Sequence, residues 1–246
     1  MVKISVLLLF LISIVPVLKA QTGIDHLIND TFDEEERNIY EYYTHKQGKT
    51  SQIFNGPEYI PADINIKGHP FFEQKTLQSG VVKYDGNFYD HIKMGFDIYR
   101  NELAIVHYDE KEHFSLIRLS NQKINSFGFN GHRFIRLIKE ENKGLSATGF
   151  YEILHNGNLK VLAKRVKKVK PTTERPYRYE FYNDSKLFIY KDGIFHHIGS
   201  KNMLSNLLDD EKKVIRRVRR RKKDGFENYV VRVCNYYEEL KQGRGR

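Results

Sequence analysis

The chain has little that could support covalent or metal chemistry. Of its 246 residues only one is cysteine, Cys234, and none is tryptophan. A single cysteine excludes an internal disulfide, so stability must come from a hydrophobic core. Because the sequence holds 16 Phe and 16 Tyr, aromatic side chains must supply much of that core.

Catalytic and ligand-binding motifs are also missing. The ten histidines include no H-E-x-x-H spacing, and there is no G-x-S-x-G elbow or glycine-rich phosphate loop. His196 and His197 would point to opposite faces of a strand, which is poor geometry for sharing a metal. The candidates for a carboxylate pair are aspartates near the predicted strands, but Asp is common in hairpin turns and we favour that interpretation; these residues are Asp85, Asp90, Asp97 and Asp109. We therefore predict no metal and no cofactor, and we interpret Cys234 as a core residue.

The first twenty residues have the pattern of a signal peptide. Lys3 precedes an apolar run at residues 4–17, and Ala20 offers a small residue for cleavage before Gln21. The alternative is a single membrane anchor, but this run is shorter than the roughly 20 residues needed to span a bilayer. We predict a signal peptide at 1–20 and export to the periplasm, the outer membrane or the medium.

Residues 21–64 lack a regular period. An acidic run at 33–36 precedes apolar positions up to Tyr43, which indicates a short helix with acids at its positive N-terminal end. Asn55-Gly56-Pro57 then breaks any helix. We predict an irregular N-terminal arm containing one short helix.

Residues 65–199 alternate with the period of β-strands. Apolar side chains at Ile92, Met94, Phe96 and Ile98 are separated by mixed ones, and Asn130-Gly131 suits a type I′ hairpin turn. About ten strands follow one another with frequent turn signals, interrupted by a basic stretch at 164–176 that we predict to be a mobile connection. The prediction is a mainly β fold with C-terminal helices, in which an antiparallel meander forms a curved sheet, sandwich or barrel.

The period changes to 3.6 in residues 200–246. Ser200 is a suitable N-cap for a first helix over about 200–221, and Asp224 with Glu227 indicates a capping box for a second over about 225–241. We expect both helices to cap the sheet.

Several short motifs give the chain a resemblance to known proteins. The motifs are Phe54-Asn55-Gly56-Pro57-Glu58-Tyr59, Gly68-His69-Pro70-Phe71-Phe72, Tyr84-Asp85-Gly86-Asn87-Phe88-Tyr89, Phe96-Asp97-Ile98-Tyr99, Gly131-His132-Arg133-Phe134, Gly149-Phe150-Tyr151, His155-Asn156-Gly157, Ser200 to Leu208, and Tyr236-Tyr237. Together they resemble an uncharacterised family of exported β-rich proteins from Bacteroidetes-type bacteria. The resemblance implies export and a cell-envelope context, but no mechanism.

One patch of charge stands out, and we call residues 212–223 the basic run. It holds nine cations and no acid, namely Lys212, Lys213, Arg216, Arg217, Arg219, Arg220, Arg221, Lys222 and Lys223. Residues 21–246 contain 39 Lys and Arg, since Lys3 and Lys19 precede them, and 31 acids. Without the nine the balance is 30 against 31, so the positive charge of the protein is local.

The basic run has two interpretations. It is a solvated helix end, where cations favour the negative pole of the macrodipole, or it contacts an anionic partner. An exported protein meets anionic lipid before nucleic acid, so we predict a membrane surface or an envelope protein as partner, and not nucleic acid. Val214, Ile215 and Val218 are expected to face the protein.

Two functions remain open from the sequence. The first is a non-enzymatic envelope module for interaction or scaffolding, with a basic helix touching an anionic membrane surface. The alternative is a hydrolase whose carboxylate or histidine site assembles only in the fold.

Overall fold

A computed structural model describes residues 52–109, 111–208, 218 and 224–243. The predicted signal peptide, the predicted helix at the acidic run and all nine cations of the basic run lie outside these residues. A turn of 3₁₀ helix at Gln52–Phe54 begins the described chain. Thirteen strands follow within the described residues: β1 Ile66–Lys67, β2 Gln78–Tyr84, β3 Asn87–Asp97, β4 Glu102–Tyr108, β5 Phe114–Arg118, β6 Ile124–Phe129, β7 His132–Leu137, β8 Gly149–Asn156, β9 Lys160–Lys164, β10 Lys167–Pro171, β11 Tyr179–Asn183, β12 Lys186–Lys191 and β13 Ile194–His197.

Ten of these strands form one antiparallel sheet in the order β13-β12-β9-β8-β7-β6-β2-β3-β4-β5. The end strands β13 and β5 do not pair with each other, so of the three predicted forms the sheet is the open, curved one. Bulges between Gly80 and Val82 and between Ile153 and His155 help it to curl. The curl is strong enough that Asn101, after β3, accepts a hydrogen bond from the backbone N–H of Phe150 in β8 at 3.3 Å.

The predicted turn chemistry is confirmed. Asp85-Gly86, Asn130-Gly131 and Asp192-Gly193 all have positive φ at both positions, with Asn130 at 50° and Gly131 at 79°. A type I′ turn needs this geometry, and its twist matches that of the two strands it joins.

Both edges of the sheet are partly covered by irregular chain. Tyr59 N–H donates to Leu116 O, and Arg118 N–H donates to Pro57 O, each at 2.8 Å, along β5. Along β13, Phe195 N–H donates to Lys143 O at 2.9 Å. These contacts occupy main-chain groups that an exposed edge would offer to another chain.

The stretch at 164–176, predicted to be a connection, contains a strand, and residues 69–72, whose sequence His69-Pro70-Phe71-Phe72 suggests an entry strand, form none. Part of the first range forms β10, which pairs with β11 in a three-stranded sheet of order β1-β11-β10. The lysines that suggested a loop form ion pairs with acids of the neighbouring strand and its flank, as in Lys168 Nζ to Asp184 Oδ2 at 2.6 Å. The second range contributes only an isolated bridge, Phe71 to Asp97.

The C-terminal helices agree with prediction in part. Helix α1, Lys201–Leu207, begins after Ser200, whose hydroxyl accepts from Met203 N–H at 3.3 Å, but it ends far short of residue 221. Helix α2, Phe226–Lys241, is close to its predicted bounds. Its N-cap is Gly225, which has no side chain to cap the helix, so the predicted capping box at Asp224 is not formed; the Asp224 carboxylate pairs with Arg232. No helix among the described residues is long and apolar enough to cross a membrane.

The buried side chains form three clusters. The first, which we call the aromatic core, lies under β2–β8 and is closed by residues 53–72. The second, the helical core, lies between β9, β12 and the two helices. The third cluster covers the reverse face of β7–β9, β12 and β13. The aromatic core includes Phe72, Phe96, Phe127, Phe134 and Phe150. The helical core includes Val161, Ile189, Leu204, Leu208, Val230 and Val233. The third includes Tyr151, Leu162, Phe188 and Phe195.

Candidate functional site

The most organised polar feature of the described chain is a group of five charged or titratable side chains that we call the ion network: Glu73, His132, Glu152, Arg165 and Glu227. Its centre is Glu152, in the middle of β8. Its two strand partners are Phe134 of the aromatic core and Ala163 of the helical core, so the carboxylate lies where the two cores meet. The residue is only 3% exposed, and a carboxylate buried this deeply is stable only when it is paired.

Arg165 supplies one partner of Glu152 and extends the network to the helices. Its Nε donates to Glu152 Oε2, while Nη1 and Nη2 donate to the two oxygens of Glu227 at 2.7 and 3.0 Å. Burial lowers the pKa of Arg165, but the hydrogen bond to Glu227 and the charges of both carboxylates outweigh burial and raise that pKa. The guanidinium also lies 5.6 Å from the ring centre of Phe72. Arg165 therefore ties the first turn of α2 to the sheet.

His132 supplies the other partner. Its Nδ1 contacts Glu152 Oε1, and its Nε2 lies 3.3 Å from Glu73 Oε2. The edge of the imidazole packs against Phe72, with ring centres 4.9 Å apart. Glu73 directly follows Phe72 in the segment that closes the aromatic core, residues 53–73, which we call the covering segment. The network thus links the covering segment, the sheet and helix α2.

The centre of the network, Glu152 and His132, has no atom left open for a substrate. Both oxygens of Glu152 and both ring nitrogens of His132 have contacts within the chain. A general acid or base needs a proton position open to a substrate. We therefore assign this group a structural role and no reaction.

A second unusual group is the amine of Lys164, at the end of β9. Lys164 is 6% exposed, and its Nζ donates to Asn101 Oδ1 at 2.7 Å and to Phe150 O at 3.3 Å. The amine also lies 4.9 Å from the ring centre of Tyr151. Burial lowers the pKa of Lys164 to about 8. Gly149 makes room for the amine, since a Cβ there would lie 2.1 Å from Nζ.

A third group lines a cleft of about 360 Å³ at the C-terminal end of α2, which we call the lysine cleft. Lys191 and Lys241 place their amines 5.8 and 5.5 Å from the ring centre of Tyr237. Lys160 donates to Gly157 O at 3.2 Å, and Lys191 donates to Leu207 O at 3.0 Å. The contact of Lys160 stabilises a turn, and that of Lys191 stabilises the end of α1. Both lysines therefore have a structural role in the cleft.

The predicted site residues are distributed as follows. The nine cations of the basic run lie outside the described residues. Val218 within that run is described, is half-buried and packs against the helical core, as predicted. Cys234 is fully buried in that core, where burial and then the charge of Glu238 raise its pKa to about 12, so the prediction of a core cysteine is confirmed.

The four aspartates have separate local partners. Asp85 pairs with Lys123, Asp90 accepts from the N–H of His91, and Asp109 contacts His113. Asp97 is fully buried and accepts from the Tyr59 hydroxyl at 2.8 Å. That hydrogen bond and burial raise the pKa of Tyr59, burial being the larger cause. Where the structure describes the chain, no three His, Cys, Asp or Glu side chains are placed to hold a metal.

Sequence reasoning missed the ion network. One signal was available: Glu152 interrupts the apolar run at residues 150–154 of a predicted strand, and a charge on a buried strand must have a partner. The identity of its partners was not available, because His132 and Arg165 are 20 and 13 positions away from Glu152 on neighbouring segments.

Comparisons with known proteins add no function. No protein-family model matches the chain, and neither the curated proteins nor the solved structures contain a match.

Proposed function

We propose that the protein is an exported, non-enzymatic module of the cell envelope that binds anionic membrane surface through the basic run. The observation that carries this proposal is the packing of Val218 against the helical core. Val218 stands in the middle of the run, with Arg216, Arg217, Arg219 and Arg220 on either side of it.

The chain is fixed at both ends of this segment as well. Leu208 is fully buried before it, and Asp224 pairs with Arg232 after it. The described residues before, within and after the basic run, Leu208, Val218 and Asp224, are therefore packed or paired with the rest of the protein.

The size of the effect follows from the charge count. Each surface cation near an anionic membrane contributes on the order of 1 kcal/mol, and the contribution falls off within a Debye length. Replacing Arg216, Arg217, Arg219, Arg220 and Arg221 together by Gln removes on the order of 5 kcal/mol, which is several thousandfold in a partition constant.

The test is co-sedimentation with vesicles of phosphatidylcholine with and without phosphatidylglycerol, over a series of salt concentrations. The wild type is expected to sediment only with the anionic vesicles and only at low salt, and the five-Gln variant is expected to stay in solution. A matched control removes five exposed lysines of the β-domain, Lys75, Lys93, Lys111, Lys139 and Lys143, by the same change to Gln. Equal loss in both variants would mean that net charge, and not the basic run, controls binding. A wild type that stays in solution at low salt would refute the membrane function.

Export is tested separately from membrane binding. Mass spectrometry of the protein from its native host is expected to give an N-terminus within a few residues of Gln21. Intact Met1 in a cytoplasmic pool would contradict export without bearing on the vesicle result.

A further inference from the structure

The contacts of His132 in the ion network require two donated protons. Nδ1 faces Glu152 Oε1, and Nε2 faces Glu73 Oε2 at 3.3 Å. A carboxylate only accepts hydrogen bonds, and a neutral imidazole has only one N–H to donate. Both contacts are therefore hydrogen bonds only while the ring carries two protons.

The groups around the His132 ring carry a net negative charge. The groups that face it, directly or through one neighbour, are Glu73 on the covering segment, Glu152 on β8, Arg165 after β9 and Glu227 on α2. Three carboxylates against one guanidinium give a net charge of −2, which an imidazolium reduces to −1. The ring also packs edge-to-face with Phe72, a contact that orients the ring and carries no charge.

The two carboxylates differ in what happens when a proton leaves. The Glu152 side chain is 3% exposed, so losing the His132 N–H would leave its Oε1 buried without a donor, while Arg165 stays paired with Oε2. The Glu73 side chain is 47% exposed and is readily hydrated. Glu73 also has a φ of 49°, which residues with a side chain rarely adopt, so its position depends on contacts that hold it.

We propose that His132 is a proton-dependent clasp that fastens the covering segment at residues 72–73 to the sheet. With two protons the ring holds both carboxylates. When one proton leaves, the ring keeps Glu152 and releases Glu73, and the segment that closes the aromatic core loses one of its attachments. The proposal does not depend on membrane binding, because none of these residues belongs to the basic run.

The test is a double-mutant cycle in the full protein with Glu73→Gln, His132→Gln and both changes, measured by urea unfolding at pH 5.5 and pH 8. These values lie on either side of the ordinary histidine pKa of about 6.5. At pH 5.5 the double variant is expected to differ by about two- to fivefold in its unfolding equilibrium constant from the product of the two single effects, as for a half-exposed ion pair. At pH 8 the coupling is expected to disappear. The control cycle uses Lys168→Gln and Asp184→Asn, a pair at 2.6 Å without histidine, whose coupling should be the same at both pH values.

Coupling of equal size at both pH values, or no coupling at either, would overturn the clasp. If His132→Gln does not fold, the decision passes to nitrogen-15 spectra of the His132 ring in the wild type and in Glu73→Gln. Two protonated nitrogens at pH 5.5, with a titration that Glu73→Gln shifts, support the clasp. A ring with one N–H at pH 5.5, or a titration that Glu73→Gln leaves unchanged, refutes it.

Discussion

The buried amine of Lys164 makes the stability of the protein depend on pH in the alkaline range. Its pKa is about 8 in the folded protein, against an ordinary value of 10.5. Between these two values the unfolded chain binds more protons than the folded one, so the free energy of unfolding rises with pH. Below pH 8 both states are protonated, and above 10.5 both are neutral, so the gain is confined to that window.

The magnitude follows from the pKa difference. A difference of one pH unit corresponds to about 1.4 kcal/mol, so a window of about 2.5 units gives a gain of about 3 kcal/mol. In Lys164→Met the titrating group is gone, and so is this gain. The variant also leaves Asn101 Oδ1 and Phe150 O without their donor, at about 1–3 kcal/mol each. We therefore expect the variant to be closest to the wild type in stability at neutral pH and to fall progressively behind it as the pH rises.

The assay is urea unfolding followed by far-UV circular dichroism between pH 7 and pH 9.5. Circular dichroism is preferred because the chain has no tryptophan and its tyrosine fluorescence changes on ionisation. The measured quantity is the difference in unfolding free energy between the wild type and Lys164→Met, which removes the background titration of other groups. Lys75→Met, at an exposed position, should show no pH-dependent difference. Parallel curves for the wild type and Lys164→Met would refute the reasoning.

Three further substitutions or reactions test the packing. Cys234 should resist thiol reagents in the native protein at pH 8, because its thiol is buried and its pKa is about 12, and should react at once in denaturant; rapid native labelling would contradict its burial. Arg165→Met should lower the unfolding free energy by about 3–5 kcal/mol in a urea titration, because it leaves Glu152 buried beside an uncharged side chain; a change below about 1 kcal/mol would mean that the network adds little. Gly149→Ala should lower the thermal midpoint, because its φ of 148° is rarely adopted by a residue with a Cβ and because the new methyl group would meet the Lys164 amine; an unchanged midpoint would contradict this account of the position.

Local features of the fold could be read from the sequence because their causes are local. Asn130-Gly131 determines its turn through the φ angles of two adjacent residues. The alternation from Ile92 to Ile98 correctly predicts that Met94 and Phe96 are buried, although Gly95 and Asp97 on the other side of β3 are buried as well. The same holds for α2, whose apolar spacing continues without interruption from Phe226 to Leu240. Each of these depends on residues within a few positions of one another.

Features that depend on distant partners could not be read in this way. The stretch at 164–176 looked like a loop because lysines dominate it. Part of it becomes a strand by backbone pairing with β11, which lies several residues further along the chain, and Lys168 and Lys170 pair there with acids of β11 and its flank. The end of α1 at Leu207 was hidden because the apolar spacing of helix α1 continues past Leu208 in the sequence. Glu152 had no visible partner for the same reason.

The strand order also determines how far apart in the chain the pairing strands lie. In the large sheet only two pairings join strands that do not follow one another, β2 with β6 and β9 with β12. All other pairings close short loops, which cost little chain entropy and form from nearby encounters. The pairing of β2 with β6 must instead wait until β3, β4 and β5 are looped out between them. We therefore expect the folding rate to depend more on the pairing of β2 with β6, which joins two locally built meanders, than on the number of strands.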